Sequence, residues 1–192
     1  MGRIVSYPRF VDVNSIQAGE EGNYRYWLKI PFIKKLNLKT LCVILKNPSV
    51  ATKTICDNTV SKVCNVANYN GYSEVIILNL FPYRSTQAKA VRNFYNIPDF
   101  KYIMKCNLCI IQRMCKKNDV IFAWGTNTIS SSRQNKNIYD SAINDVISVI
   151  KSDTYYVINC SCANKNCNGQ HSTVRYPLHG LRWHNDSSLI SY

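Results

Sequence analysis

The chain has 192 residues, enough for one domain with a sizeable core, and its 46% hydrophobic content excludes a disordered polymer. No apolar run approaches the roughly 20 residues of a membrane span. With 24 lysines and arginines against 11 acids, the formal charge is +13, a field that attracts polyanions, chiefly nucleic acid. The excess is clustered: Arg25, Lys29, Lys34, Lys35, Lys39, Lys46 and Lys53 lie between Glu21 and Asp57 with no acid among them. Lys101, Lys105, Arg113, Lys116 and Lys117 do the same between Asp99 and Asp119. A lysine- and asparagine-rich composition also gives an unpatterned basic surface, which binds nucleic acid weakly. Nine cysteines occur without the apolar core of an export signal near Met1, and Cys42, Cys64 and Cys109 sit in or beside apolar segments. They read as small hydrophobes in a reducing, cytoplasmic setting.

In chain order, residues 1–22 read as irregular, with Pro8 and a Gly19-Glu-Glu-Gly22 turn. Tyr24 to Phe32 is a first strand and Thr40 to Leu45 a second, of the length and β-branching of a buried strand. Pro48 carries no N–H and biases Asn47 toward extended backbone, so this strand ends at Asn47-Pro48-Ser49. Asp57 to Tyr69 is a helix, capped by Asp57, with Val60, Val63, Cys64 and Ala67 on one face and Asn70-Gly71 as its stop. Ser73 to Leu80 is a strongly apolar strand ended by Phe81-Pro82. Thr86 to Tyr95 is a short helix. Asp99 to Lys117 is a longer one, with Ile103, Leu108 and Ile111 inward. Val120 to Trp124 is a strand closed by Gly125, Gln134 to Lys151 a helix, and Thr154 to Asn159 a further strand. Strands alternating with helices predict a single α/β domain over residues 1–192, three-layered, with a mainly parallel central sheet flanked by helices. Residues 160–192 form a loop-rich tail containing Cys and His.

Parallel strands place their C-terminal tips along one edge, where open α/β sheets bind ligands. Asn47 and Ser49 there can read a flat polar ligand, or they are solvated groups of a strand-ending turn. Asp57 can activate water or hold a ligand hydroxyl; alone, it is equally an N-cap. In Asn79-Leu-Phe-Pro-Tyr-Arg-Ser-Thr86, Arg84 can clamp a phosphate, and Phe81 or Tyr83 can stack on a base. The alternative is a surface arginine beside core aromatics. Cys160, Cys162, Cys167 and His171 can fill a tetrahedral zinc shell, although the one-residue gap of the first pair is not a standard knuckle; a loop rich in Asn and Cys accounts for them as well. No other cofactor is implied. The segment from Arg175 to His184 is basic and aromatic. His179 or His184 can act there as acid or electrostatic stabiliser; equally, the segment can be a tail packing its aromatics on the domain. There is no Walker-type loop, nucleophile elbow or His-Glu-x-x-His helix, which argues against P-loop nucleotide hydrolysis.

Arg25-Tyr-Trp-Leu28, Asn47-Pro-Ser-Val-Ala51, Asp57-Asn-Thr59, Asn79 to Thr86 and Ala123-Trp-Gly125 stand in an order that resembles the bacterial and phage family called domain of unknown function 1643, from about Arg25 to Leu178. That family usually closes with Gly-x-Pro-x-His-Pro-Leu. Here Tyr176-Pro177-Leu178 takes that place and Tyr176 replaces the histidine, for which His171 or His179 can substitute. More distantly, Asn47-Pro48-Ser49 and Tyr176-Pro177-Leu178 resemble the base-binding and late loops of the uracil-DNA glycosylase superfamily. That resemblance implies a uracil-DNA-glycosylase-like fold and a base-excision N-glycosylase acting on DNA, on a modified or non-standard base; the family context implies phage defence. The expected catalytic residues are Asn47 and Asp57. Ser49, Asn79, Phe81, Arg84, Trp124, Tyr176 and His179 are expected to bind substrate, with Phe81 or Trp124 stacking on the base. The alternatives are a non-catalytic nucleic-acid-binding module and an enzyme acting on a free nucleoside or nucleotide.

Overall fold

The computed structural model describes residues 3–34, 37–85, 91–126, 133–150, 155–158, 177 and 179–191. Its elements are β1 (Ile4–Val5), β2 (Gln17–Glu21), β3 (Tyr24–Pro31), β4 (Thr40–Leu45), β5 (Cys56–Asp57), α1 (Asn58–Tyr69), β6 (Glu74–Asn79), α2 (Val91–Tyr95), α3 (Phe100–Cys115), β7 (Asp119–Phe122), α4 (Arg133–Val149), β8 (Tyr155–Ile158) and β9 (Leu189–Ser191). Short 3₁₀ turns lie at Val13–Ser15 and Gly180–Arg182.

The chain folds as α/β. Seven strands form one sheet in the order β2-β3-β6-β4-β7-β8-β9, and β1 pairs with β5 apart from it. The expectation of a mainly parallel sheet needs correcting: the sheet is mixed. Strands β6, β4, β7 and β8 run parallel, whereas β2–β3, β3–β6 and β8–β9 pair antiparallel. Helical crossovers between the central strands impose parallel pairing; the β2–β3 hairpin and the short connection from β3 past β6 to β4 at one margin, and the returning β9 at the other, give the opposite. The N-terminal segment is likewise not irregular throughout. Gln17–Glu21 pairs with β3 through a turn at Gly22, whose φ is +52°. Its mostly polar sequence shows no apolar alternation because it is an edge strand whose residues are partly or fully exposed.

Two apolar layers enclose the sheet. On one face α1 packs Val60, Val63, Cys64 and Ala67 against Leu41, Val43, Leu45, Val75 and Ile77. On the other, α2, α3 and α4 pack Phe94, Ile103, Ile111, Tyr139, Ile143 and Val146 against Cys42, Ile44, Ile76, Leu78, Val120 and Phe122. Each fully buried aliphatic contributes about 1.5–3 kcal/mol. The surface pair Lys29–Glu74, at 3.0 Å, adds under about 1 kcal/mol, so apolar burial decides the fold. Leu108 is not inward as expected. In α3 the buried spacing is Ile103, Asn107, Ile111, and Leu108 is only partly covered. Asn107 takes the inner position because its amide donates to the carbonyls of Asn79 (2.9 Å) and Leu80 (3.2 Å), closing the end of β6. Among the described residues, no helix is long and apolar enough to cross a membrane.

Candidate functional site

Strand β4 continues through α1 to β6 on one side, and the chain returns through α3 to β7 on the other. From the tips of neighbouring β4 and β7 it departs toward opposite faces, to α1 and to α4. This is the switch point at which open α/β sheets bind ligands. On the other side of β4, past the tips of β4 and β6, the backbones stay zipped: Leu80 N–H donates to Leu45 O (2.8 Å), Phe81 N–H to Lys46 O (3.0 Å) and Ser85 N–H to Pro48 O (2.8 Å). The amide of Asn47 joins this clamp, donating to Ser85 O at 2.8 Å and Pro48 O at 3.1 Å.

Asp57 lies at the α1 N-terminus with 2% of its surface exposed. Its Oδ1 accepts the Val60 N–H at 2.9 Å and its Oδ2 accepts the Ser49 hydroxyl. It is thus the helix cap, and the cap stands at the switch-point edge of the sheet. Beside it the Arg25 guanidinium is 1% exposed and donates to Ala51 O at 2.5 Å. Arg84 donates to the same carbonyl at 3.2 Å and to Ser49 O at 3.3 Å, and also pairs with Glu20. Burial, and then the neighbouring Arg84 charge, push Arg25 down to about 10. Arg25 Nε and both polar atoms of the Asn79 side chain are buried and have no hydrogen-bond partner among the described residues. Tyr7 closes this region from the N-terminal segment, its hydroxyl donating to Thr52 O at 2.5 Å, and burial raises its phenol well above the usual range.

Toward β7, Lys46 is 6% exposed. It donates to Thr126 O at 2.7 Å and lies 5.5 Å from the Tyr139 ring centre. Burial lowers its ammonium to about 8. His179 leans on Gly125: a Cβ at that glycine, where φ is +72°, would stand 3.0 Å from His179 Cβ. The following Gly180 packs on Leu45, Val63 and Thr59. The Leu181 N–H donates to His179 Nδ1 at 3.1 Å. Burial first, then the charges of Lys46 and Arg182, lower the imidazole to about 4, against an opposing pull from Asp57. His179 is therefore neutral near pH 7, with Nδ1 accepting and the proton on Nε2.

The tips thus share one edge, and Asn47, Ser49, Asp57, Arg84 and His179 gather along it. The rings of Phe81 and Trp124 do not present a face there. Both are fully buried on the α3–α4 side, Phe81 near Tyr95 and Tyr139 and Trp124 against Phe122. Asn79 is buried as well. Tyr176 and the Cys160, Cys162, Cys167 and His171 set lie outside the described residues. Sequence reasoning missed Lys46, Arg25 and Tyr7 as parts of this edge. For Lys46 and Arg25 the available signal was a basic residue directly after, or inside, an otherwise apolar strand; Tyr7 carried no such signal.

The family model described as "Protein of unknown function (DUF1643)" matches residues 25–173. The chain belongs to this family. No curated protein and no solved structure matches it. The matched region begins at Arg25 and takes in Asn47, Asp57, Arg84 and Gly125; Tyr7 and His179 fall outside it.

Proposed function

We propose that this DUF1643-family protein is a DNA-acting hydrolase with a uracil-DNA-glycosylase-like arrangement that releases a modified or non-standard base by cleaving its N-glycosidic bond. One observation carries this reading: a buried carboxylate, Asp57, and a neutral imidazole donor, His179, flank the same loop-covered strand edge. Departure of a base leaves positive charge on the sugar and negative charge on the base. Asp57 stabilises the first; His179 Nε2–H and the Lys46 ammonium stabilise the second. The C–N bond breaks, water adds to the sugar carbon and loses its proton to solvent, and the base takes up a proton. Arg84 and the basic segments hold phosphates, and the target base leaves the stack to reach the edge. The free thiols of Cys42, Cys56, Cys64 and Cys115 fit a reducing, cytoplasmic setting, and phage defence is the role suited to such chemistry on modified DNA.

The test is incubation with oligonucleotides carrying unmodified, deaminated, alkylated or hydroxymethylated bases, followed by alkaline cleavage at abasic sites. Release is expected from one of these classes. Asp57→Asn should slow it by about a hundredfold or more, and His179→Gln by at least tenfold. Absence of release from every substrate, or unchanged release in both variants, would overturn the proposal. A second reading rests on the occupancy of both Asp57 oxygens by Val60 N–H and Ser49: a nucleic-acid-binding module that does not turn over, recognised by salt-dependent binding without release.

A further inference from the structure

Away from the strand edge, the structure holds a second feature with the chemistry of a binding site. Between α3 and α4 lies a groove of about 390 Å³. Phe81, Phe100, Met104, Leu108, Ile138 and Ala142 form its apolar walls, Lys101 and Lys105 one rim, and Ser141 and Asp145 the other. The wall is not sealed by packing: Phe100, Met104, Leu108 and Ile138 all keep part of their surface accessible. Lys101 and Lys105 are exposed and stand one helical turn apart. Among the described residues, neither they nor Asp145 enter an ion pair. Arg113 further along the same helix and Lys116 directly after it are also exposed, with no acid in the sequence between Asp99 and Asp119. The groove is therefore apolar inside, cationic on one lip and anionic on the other.

We propose that this groove seats one base of single-stranded DNA, with Lys101 and Lys105 holding the adjacent phosphates; the assignment rests on the nucleic-acid partner proposed above and extends it to a second contact. The charge asymmetry sets the orientation. Phosphates are drawn to the α3 lip and repelled by Asp145, which turns the base edge toward Ser141 and Asp145, where exocyclic amino groups find acceptors. The aromatic and thioether walls accept any base face, so the contact is tolerant of sequence. A paired base cannot enter, so the site takes an unpaired strand. Phe81, fully buried at the tip of β6, forms the closed floor of the groove, and the strand is held by the partly accessible walls on α3 and α4.

The experiment measures binding of a fluorescein-labelled twelve-nucleotide oligodeoxycytidylate, whose bases carry an exocyclic amino group, and of an abasic oligonucleotide of the same length, by anisotropy over a range of salt. The wild type should bind the base-bearing strand about tenfold more tightly. Leu108→Asp should bind both strands alike, and Met104→Asp should reproduce this if Leu108→Asp lowers stability. Replacing both lysines, Lys101→Gln with Lys105→Gln, should weaken both strands and flatten the logarithmic salt slope by about 1.4. The proposal fails if the wild type does not distinguish the strands, if both groove variants keep the tenfold preference, or if the salt slope is unchanged. It also fails if sedimentation shows that the wild type dimerises and the groove variants do not, which would assign the groove to a second copy. Base release from a trinucleotide reads the Asp57–His179 edge separately. Loss of strand preference with intact release removes the groove alone, whereas absent release with the full groove pattern removes only the hydrolase.

Discussion

His179 shows how one residue's surroundings decide its chemistry. Its imidazole lies against Gly125, near Lys46, Arg182 and Asp57, and is lowered from 6.5 to about 4. Between those values the unfolded chain binds a proton that the folded chain does not. Stability contributed by this group is complete above about pH 6.5 and is lost as pH falls toward 4, by about 2–3 kcal/mol at most. Urea unfolding at pH 7, 5.5 and 4.5 should show this decline in the wild type and a shallower one in His179→Gln, because other groups titrate in both proteins. Equal slopes would mean that the imidazole is not neutral when folded. The histidine itself was legible as a candidate from its basic, aromatic neighbourhood. Its protonation state was not, because it depends on burial beneath a segment more than fifty residues away in the chain.

At the scale of the element, α1 was readable nearly to the residue. Asp57 before Val60, Val63, Cys64 and Ala67 is a capping residue followed by an apolar face, and both signals are local. Asp57→Ala removes the acceptor of the Val60 N–H and strands the Ser49 hydroxyl, and should lower unfolding free energy by about 1–2 kcal/mol. Asp57→Asn, which keeps an acceptor oxygen, should lose less than half of that in the same urea titration. If the two variants are equally destabilised, charge rather than capping is the main contribution. The same carboxylate is the proposed catalytic group, so Asp57→Asn is the variant in which stability and base release should separate. Elsewhere local pattern misled. Gln17–Glu21 carries a polar, glycine-containing sequence and is a strand because β3 supplies its partner. Asn107 lies in the inner row of α3 because the carbonyls at the end of β6 need donors.

Across the whole molecule, the parallel strands β6, β4 and β7 lie inside the sheet under both apolar layers, whereas β2 is an edge. Opening the sheet at β4 requires breaking ladders on both sides and exposing two cores; opening β2 requires breaking one. Amide hydrogen exchange followed by mass spectrometry should therefore find the slowest amides in residues 41–45, 75–79 and 120–122, and much faster ones in residues 17–21. Comparable protection of the edge hairpin would contradict the described pairing order. The formal net charge of +13 acts at this scale too, as a field that raises the local concentration of any polyanion in solution.

What the sequence determined by itself is what short-range physics determines: the alternation of strands and helices, the strand end at Asn47-Pro48-Ser49, the cap at Asp57, the basic surface and the family signature. The mixed order of the sheet was decided only in three dimensions, because a strand's direction relative to its neighbour depends on the path between them. Tertiary packing likewise turned Phe81 and Trp124 into the core, brought Lys46 and His179 to the edge beside Asp57, and left a groove between α3 and α4. Burial and electrostatic environment are sums over residues distant in the chain, and no local pattern carries them.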